Sequence, residues 1–299
     1  MTVAAATASA GGTPGLAAAN RRSTVVDSHL HCFAGRNDSR FPYHPAGPYQ
    51  PKAAATPEHL LQCMADGGVD YAIVVHPEPY QDDLDYLEHC LQVGDGKLKG
   101  VCLLFADRDD SVMRLTELVR RQANRIVAVR VHAYAPERLP VWDKPEQLRR
   151  LWRAAADLGL AMQLHLEPRY APRLEPFIRE FPQVKTIIDH LGRPFQGVPE
   201  EHGVIVRWAR FEHVVMKLAV IPERHEYPHR DIRPVIRQLT EAFGAERMIY
   251  GGGFDHGATG NSYRAFREHV AEFLAPLSAA GRAQVFGGTA CRLFGFPAV

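Results

Sequence analysis

Cysteine is scarce in this 299-residue chain: Cys32, Cys63, Cys90, Cys102 and Cys291 make an odd count with no CxxC pair. That argues against a disulfide framework or a Cys-built zinc site and points to a reducing, cytoplasmic compartment. An excess of either charge is missing too. Lys plus Arg number 35 against 34 Asp plus Glu, a net charge of +1, so no nucleic-acid partner is expected. No apolar run approaches the roughly 18–20 residues of a membrane span, so no membrane partner is expected either. The first 20 residues are mostly Ala, Gly, Thr and Ser; Arg21 and Arg22 follow this segment instead of leading it. They do not read as a secretory signal. Residues 1–23 read as a flexible tail, or as an arm on a partner subunit in a homo-oligomer.

What is present is a regular alternation from residue 24 onward. Eight Val- and Ile-rich runs predict strands: Thr24–His29, Tyr71–His76, Leu98–Phe105, Ile126–His132, Leu160–Leu166, Val184–Asp189, His213–Ala219 and Arg247–Tyr250. A helix-like stretch follows each. The first opens at Thr56-Pro57-Glu58, which reads as N-cap, N1 and first-turn acid, and runs to about Gly67. The others are Asp82–Val93, Ser111–Gln122, Pro145–Leu158, Ala171–Phe181, Glu200–Arg210, Asp231–Phe243 and Asn261–Leu274. Eight βα units point to a single α/β domain over 24–299, a (β/α)₈ TIM barrel. An open doubly wound sheet fits less well, because the first strand leads into Asp27-Ser28-His29-Leu30-His31 and not into a Gly-rich phosphate loop. The long Cys32–Ala55 loop leaves the end of the barrel where active sites are built.

Histidine is abundant, at 15 residues, and its placement is the main functional signal. Alternation puts Asp27, His29 and His31 on one face of strand 1. His76 ends strand 2, and Arg130 and His132 end strand 4. Gln163, His165 and Glu167 share a face of strand 5. Asp189, His190 and Arg193 follow strand 6, and Asp255 and His256 follow strand 8. Seven histidines thus fall at predicted carboxyl ends, whereas His59, His89 and His269 sit on helices. Asp189 has the opposite parity to His190, which suggests a structural role. Arg130 and Lys217 lie on otherwise apolar strands. They imply either buried salt bridges or contacts to a substrate carboxylate or hydroxyl.

The run Val25-Val26-Asp27-Ser28-His29-Leu30-His31 resembles the opening strand of the amidohydrolase superfamily. More narrowly, the chain resembles the amidohydrolase-2 branch of lactonases, 2-pyrone-4,6-dicarboxylate hydrolase and aromatic-acid decarboxylases. Ala128-Val129-Arg130-Val131, Ile188-Asp189-His190-Leu191-Gly192-Arg193-Pro194, Met216-Lys217-Leu218 and Val285-Phe286-Gly287-Gly288-Thr289-Ala290 match in order. The resemblance spans about residues 24–296 and is most specific at strand 6 together with His-x-His. It implies a hydrolase acting on a small lactone or cyclic ester, of sugar-acid lactone or pyrone-carboxylate type. Its alternatives are a metal-dependent decarboxylase, or a barrel that binds ligand without catalysis. There is a departure at the end of strand 8. The family's general-base aspartate aligns with Gly253 in Tyr250-Gly251-Gly252-Gly253-Phe254-Asp255-His256, and its terminal Asn with Thr289.

These readings assign catalytic roles to His29, His31, His165, His190 and Asp255, with Asp255 as the base from a shifted loop. Arg130, His132, His76, Lys217, Arg193 and His256 are assigned to the substrate, a small molecule that is carboxylated in one reading. A zinc or manganese ion on His29, His31 and His165, with His190 as another candidate ligand, would polarise the carbonyl and activate water. The missing aspartate favours weak or absent metal binding. No organic cofactor is implied.

Overall fold

The structure is a computed structural model that describes residues 22–134, 144–219 and 231–297. Residues 1–21 of the expected tail, and the whole of the Ile221–Arg230 loop after strand 7, lie outside the described residues. All eight expected strands form: β1 Val26–Leu30, β2 Tyr71–Val75, β3 Leu98–Leu103, β4 Ile126–Ala133, β5 Ala161–Leu166, β6 Thr186–Ile188, β7 Val214–Leu218 and β8 Met248–Tyr250. They lie side by side in chain order and pair in parallel. Eight helices return the chain between them: α1 Pro57–Gly67, α2 Asp85–Val93, α3 Ser111–Arg121, α4 Pro145–Asp157, α5 Ala171–Glu180, α6 Pro199–Arg207, α7 Arg233–Phe243 and α8 Gly260–Phe273. The result is a nearly closed (β/α)₈ barrel.

Local chemistry explains the element ends. Thr56 caps α1, its hydroxyl accepting from His59 N at 3.3 Å, and Gly68 ends the helix with φ +72°. Helix α2 begins three residues later than expected. The Asp82 carboxylate is drawn instead into ion pairs with Arg108 and Arg114, which holds the segment before α2 in a turn.

Two apolar layers fill the fold. Val26, Ile73, Val101, Ala128, Ile187, Val215 and Ile249 form the barrel interior, while Ala72, Val74, Val129, Val131, Met216 and Leu218 pack outward under the helices. Alternation then fixes what lies one pleat above the interior layer. It is Arg130 above Ala128, Gln163 above Ala161, Asp189 above Ile187 and Lys217 above Val215.

Strand β1 breaks this pattern. Asp27 pairs with Ala72 and Leu30 with Val74, so three residues of β1 span two of β2. Both β2 partners face outward, so Asp27 and Leu30 do as well. The expected common face of Asp27, His29 and His31 is therefore corrected. A bulge sends Asp27 outward and leaves His29 and His31 facing the mouth. Asp27 instead bridges the seam between β1 and β8. It accepts from Gly252 N at 2.8 Å, from His29 N at 2.9 Å and from the Tyr263 hydroxyl on α8.

The C-terminal segment was not recognised as structural from the sequence. Helices α9 (Ala279–Ala283) and α10 (Thr289–Phe294) flank a π-helical turn at Gln284–Gly288. Ala290, Cys291, Phe294 and Phe296 plug the floor of the barrel, and Phe296 stacks on Tyr71. This gives the Gly287 of the terminal motif a physical reason. A Cβ there would lie 1.8 Å from Thr24 O and 2.6 Å from Thr24 C. Gly287→Ala is expected to force β1 away from the floor and cost about 3 kcal/mol, read as a lower urea midpoint. An unchanged midpoint would remove this contact from the account.

Candidate active site

The histidines form a chain across the mouth. Ring centroids are separated by 5.1 Å for His31 and His29, 4.4 Å for His29 and His190, 4.6 Å for His190 and His165, and 5.2 Å for His165 and His132. Five of the seven strand-end histidines are thus brought together. His76 is not one of them: its Nε2 lies 2.9 Å from Gln81 O in the loop after β2. His256 is exposed at the rim. His190 reaches the cluster through unusual backbone. His190, Leu191, Gly192 and Arg193 all have left-handed φ, between +54° and +69°. Three of the four carry side chains, so surrounding contacts must hold this strained turn. His202 does so at Leu191 O, 2.8 Å away.

Beneath the imidazoles lies a buried charge network centred on Asp189. Arg130 Nε donates to Asp189 Oδ2 at 2.9 Å, and Gln163 Nε2 donates to the same oxygen at 3.0 Å. Lys217 Nζ lies 3.1 Å from Asp189 Oδ1 and donates to Gln163 Oε1 at 2.8 Å. Burial alone would raise the Asp189 pKa, but Lys217, Arg130 and His29 hold it well below the ordinary carboxylate value. Burial lowers the Lys217 ammonium to about 8, with Asp189 pulling the other way. The parity argument for Asp189 was incomplete. It faces the interior because Ile187 does, and it is His190 that the left-handed turn brings round. The available signal was two cations on apolar strands, which required a buried partner.

The imidazoles above this network are neutral. Burial is the first cause for each. It lowers His29, His165 and His190 well below the usual value, and His31 and His132 to about 4. The nearby cations act in the same direction. His31 Nδ1 donates to Val75 O at 2.7 Å, which leaves Nε2 as an acceptor. His29 Nε2 and His190 Nδ1 are buried without a hydrogen-bond partner. His165 sits between two guanidiniums, with Arg130 2.9 Å from Nδ1 and Arg193 2.6 Å from Nε2. Arg193 also donates to the Tyr134 hydroxyl at 2.5 Å. His132 Nδ1 lies 2.8 Å from Glu78 Oε1. Neither Glu78 nor Tyr134 was singled out from the sequence, since nothing in their spacing marks them.

A cavity of about 1030 Å³ opens over His29, His31 and His190, walled by Phe33 and Tyr49 from the long β1 loop and by Gly252–Ala258. The base of that loop is closed by Phe33 and Ala55, which exchange backbone hydrogen bonds of 2.8 and 2.9 Å. Asp255 lies on the rim of this cavity, but its side chain is exposed and Oδ1 accepts from Gly257 N at 2.7 Å. Gly253 turns toward α8, where a Cβ would meet Phe266 at 2.8 Å. Two groups of side chains each offer three ligand atoms within 4.8 Å: His29 with Asp189 and His190, and Glu78 with His132 and His165. Either arrangement can hold a divalent metal. His31 belongs to neither group.

The chain belongs to the amidohydrolase family, whose sequence profile matches residues 26–296. It is an enzyme of the hydrolase class. It is 27% identical over 258 residues to L-fucono-1,5-lactonase from Burkholderia ambifaria, covering 80% of this chain and 84% of that one. A solved structure from Pseudomonas putida, provisionally named a 2-pyrone-4,6-dicarboxylic acid hydrolase, is 24% identical, with a TM-score of 0.72 over 92% of this chain and 99% of that one. An amidohydrolase from Burkholderia multivorans with bound zinc is 18% identical, with a TM-score of 0.70 over 92% and 100%. Among the described residues, no helix is long and apolar enough to cross a membrane.

Proposed function

We propose that this enzyme hydrolyses a small lactone or cyclic ester, of sugar-acid lactone or pyrone-carboxylate type. The observation that carries the reading is the row of neutral imidazoles set above a network with surplus positive charge. Asp189 carries one negative charge against Arg130 and Lys217, so the network holds one net positive charge before substrate enters. Attack of water on a lactone carbonyl creates an oxyanion. Fixed cations and imidazole donors in a dry site stabilise that charge more than they stabilise the neutral carbonyl. His190 is placed as a donor: Arg130 approaches its Nε2 at 3.5 Å, which leaves Nδ1–H free. Arg193, from the turn after β6, is the group proposed to meet a substrate carboxylate. The B. ambifaria lactonase supports the lactone reading.

A divalent metal bound here would be held by His29, Asp189 and His190, where it would polarise the carbonyl and lower the pKa of bound water to about 7. The orphaned nitrogens of His29 and His190 suit such an ion, but the charge does not. Arg130 donates to Asp189 Oδ2 and Lys217 stands 3.1 Å from Oδ1, so a dication adds charge beside two fixed cations. Metal binding is accordingly weak. The test is hydrolysis of L-fucono-1,5-lactone and 2-pyrone-4,6-dicarboxylate, followed by proton release, before and after chelation. Turnover that survives chelation is the expected result. Turnover of neither compound, with carbon dioxide released from an aromatic acid only when metal is present, would move the assignment to a decarboxylase.

A further inference from the structure

Asp189 sits at the head of the turn after β6, and His190 and Arg193 lie on it. His190, Leu191, Gly192 and Arg193 hold φ between +54° and +69° in succession. Only Gly192 adopts such angles at no steric cost; the other three would relax if their peptides were free to rotate. The turn closes on itself through Gly192 N to Asp189 O and Arg193 N to His190 O, both 2.9 Å. Both bonds are lost when the backbone opens, so a contact from outside has to hold it.

Helix α6 makes that contact. His202 is 5% exposed, and its Nε2 donates to Leu191 O at 2.8 Å. This carbonyl belongs to the peptide that joins Leu191 to Gly192, at the middle of the turn. Among the described residues, no other side chain hydrogen-bonds to the backbone of 190–193. The helix also packs hard against the turn. A Cβ on Gly192 would lie 2.8 Å from Ile205 Cγ2 and 3.4 Å from His202 Nε2, and Leu191 is fully buried. Two site groups depend on this hold. The His190 ring centroid stays 4.4 Å from that of His29 and 4.6 Å from that of His165. Arg193 stays 2.6 Å from His165 Nε2 and 2.5 Å from the Tyr134 hydroxyl.

We infer that His202 positions His190 and Arg193 for catalysis by holding the Leu191–Gly192 peptide; this rests on the lactone-hydrolase reading. His202 does not line the cavity over the imidazoles, so it is a positioning residue and not a catalytic one. One hydrogen bond controls two groups, because His190 and Arg193 flank the peptide that it fixes. If that peptide rotates, the imidazole and the guanidinium move together. Misplacing a catalytic group by about 1 Å is enough to lower a rate about 10²-fold. The role needs a donor at this position and not a charge, so an amide is the conservative replacement.

The test uses the full chain. His202→Phe keeps a buried ring and removes the donor, whereas His202→Gln keeps a donor that can reach Leu191 O. In His202→Phe, hydrogen exchange at the Gly192 and Arg193 amides should quicken about tenfold. His202→Gln should keep most of the protection. On whichever of L-fucono-1,5-lactone and 2-pyrone-4,6-dicarboxylate the wild type hydrolyses, His202→Phe should lower kcat about 10²-fold. His202→Gln should recover most of that loss. In a His190→Ala background, His202→Phe should cost only a few-fold, because one of the groups it positions is gone. Thermal midpoints separate local opening from unfolding, and His202→Met, a more adaptable side chain without a donor, takes over if His202→Phe does not fold. If exchange in His202→Phe is unchanged, the inference falls whatever the substrate. It also falls if kcat is unchanged in an active enzyme, or if the loss is as large in the His190→Ala background. If the wild type hydrolyses neither compound, the lactone reading falls, and exchange at residues 192 and 193 still decides whether His202 holds the turn.

Discussion

Asp189→Ala is expected to destabilise the protein by roughly 3–5 kcal/mol, because it leaves two buried cations without a counter-charge. Arg130 and Lys217 are 2% and 0% exposed, and both pair with this one carboxylate. Neither can reach water without opening the barrel, so a thermal midpoint lower by on the order of 10 °C should follow. Asp189→Asn keeps the shape and one acceptor oxygen, and should cost less. Adding Lys217→Met to Asp189→Ala removes one of the stranded charges and should recover part of the loss. If Asp189→Ala melts with the wild type, the network contributes little to folding, and its retention is then a matter of catalysis alone.

Acid is expected to unfold the protein steeply below about pH 6. Six histidines, the buried His29, His76, His132 and His165 and the half-buried His31 and His190, have pKa values pushed below 6.5, first by burial. In the unfolded chain each takes up a proton near pH 6.5; in the folded chain His31, His76 and His132 stay neutral to about pH 4 or below, and burial holds the other three well below the ordinary value. The unfolded state therefore binds more protons in this window, so stability is full above pH 6.5 and is lost as pH falls. Each group contributes up to about 1.4 kcal/mol per pH unit. Asp27 runs the other way, since burial raises it to about 7. It is neutral when folded and ionised when unfolded between about pH 4 and 7, so it gains stability as pH falls. Six groups against one leave a slope several times that of a single histidine. Denaturant midpoints between pH 7 and 5 test this, and a flat profile across that range would remove the buried-neutral assignment.

Much of the architecture was legible in the sequence because barrel strands are covered on both faces and so read as short Val- and Ile-rich runs. Thr56-Pro57 and Gly68 marked the ends of α1 for reasons local to the chain. The helices flanking Gln284–Gly288 were not legible, because their reason to exist is the barrel floor and Thr24, more than 260 residues earlier. At the site, strand parity located Arg130, Gln163, His165 and Lys217 correctly. It failed for β1, where a bulge reverses the faces between Asp27 and His29, and at β6, where left-handed backbone swings His190 inward. Both are backbone events with no composition signal in a single sequence.

The sequence by itself determined the number and order of βα units and the row of histidines at their carboxyl ends. Those follow from side-chain periodicity and residue identity, which are local. Only the tertiary structure decided which histidines meet, that one aspartate balances two cations beneath them, and that Asp255 faces solvent. Such facts depend on residues distant in sequence sharing one dry volume. There the cost of burying a charge is met only by what the other strands bring.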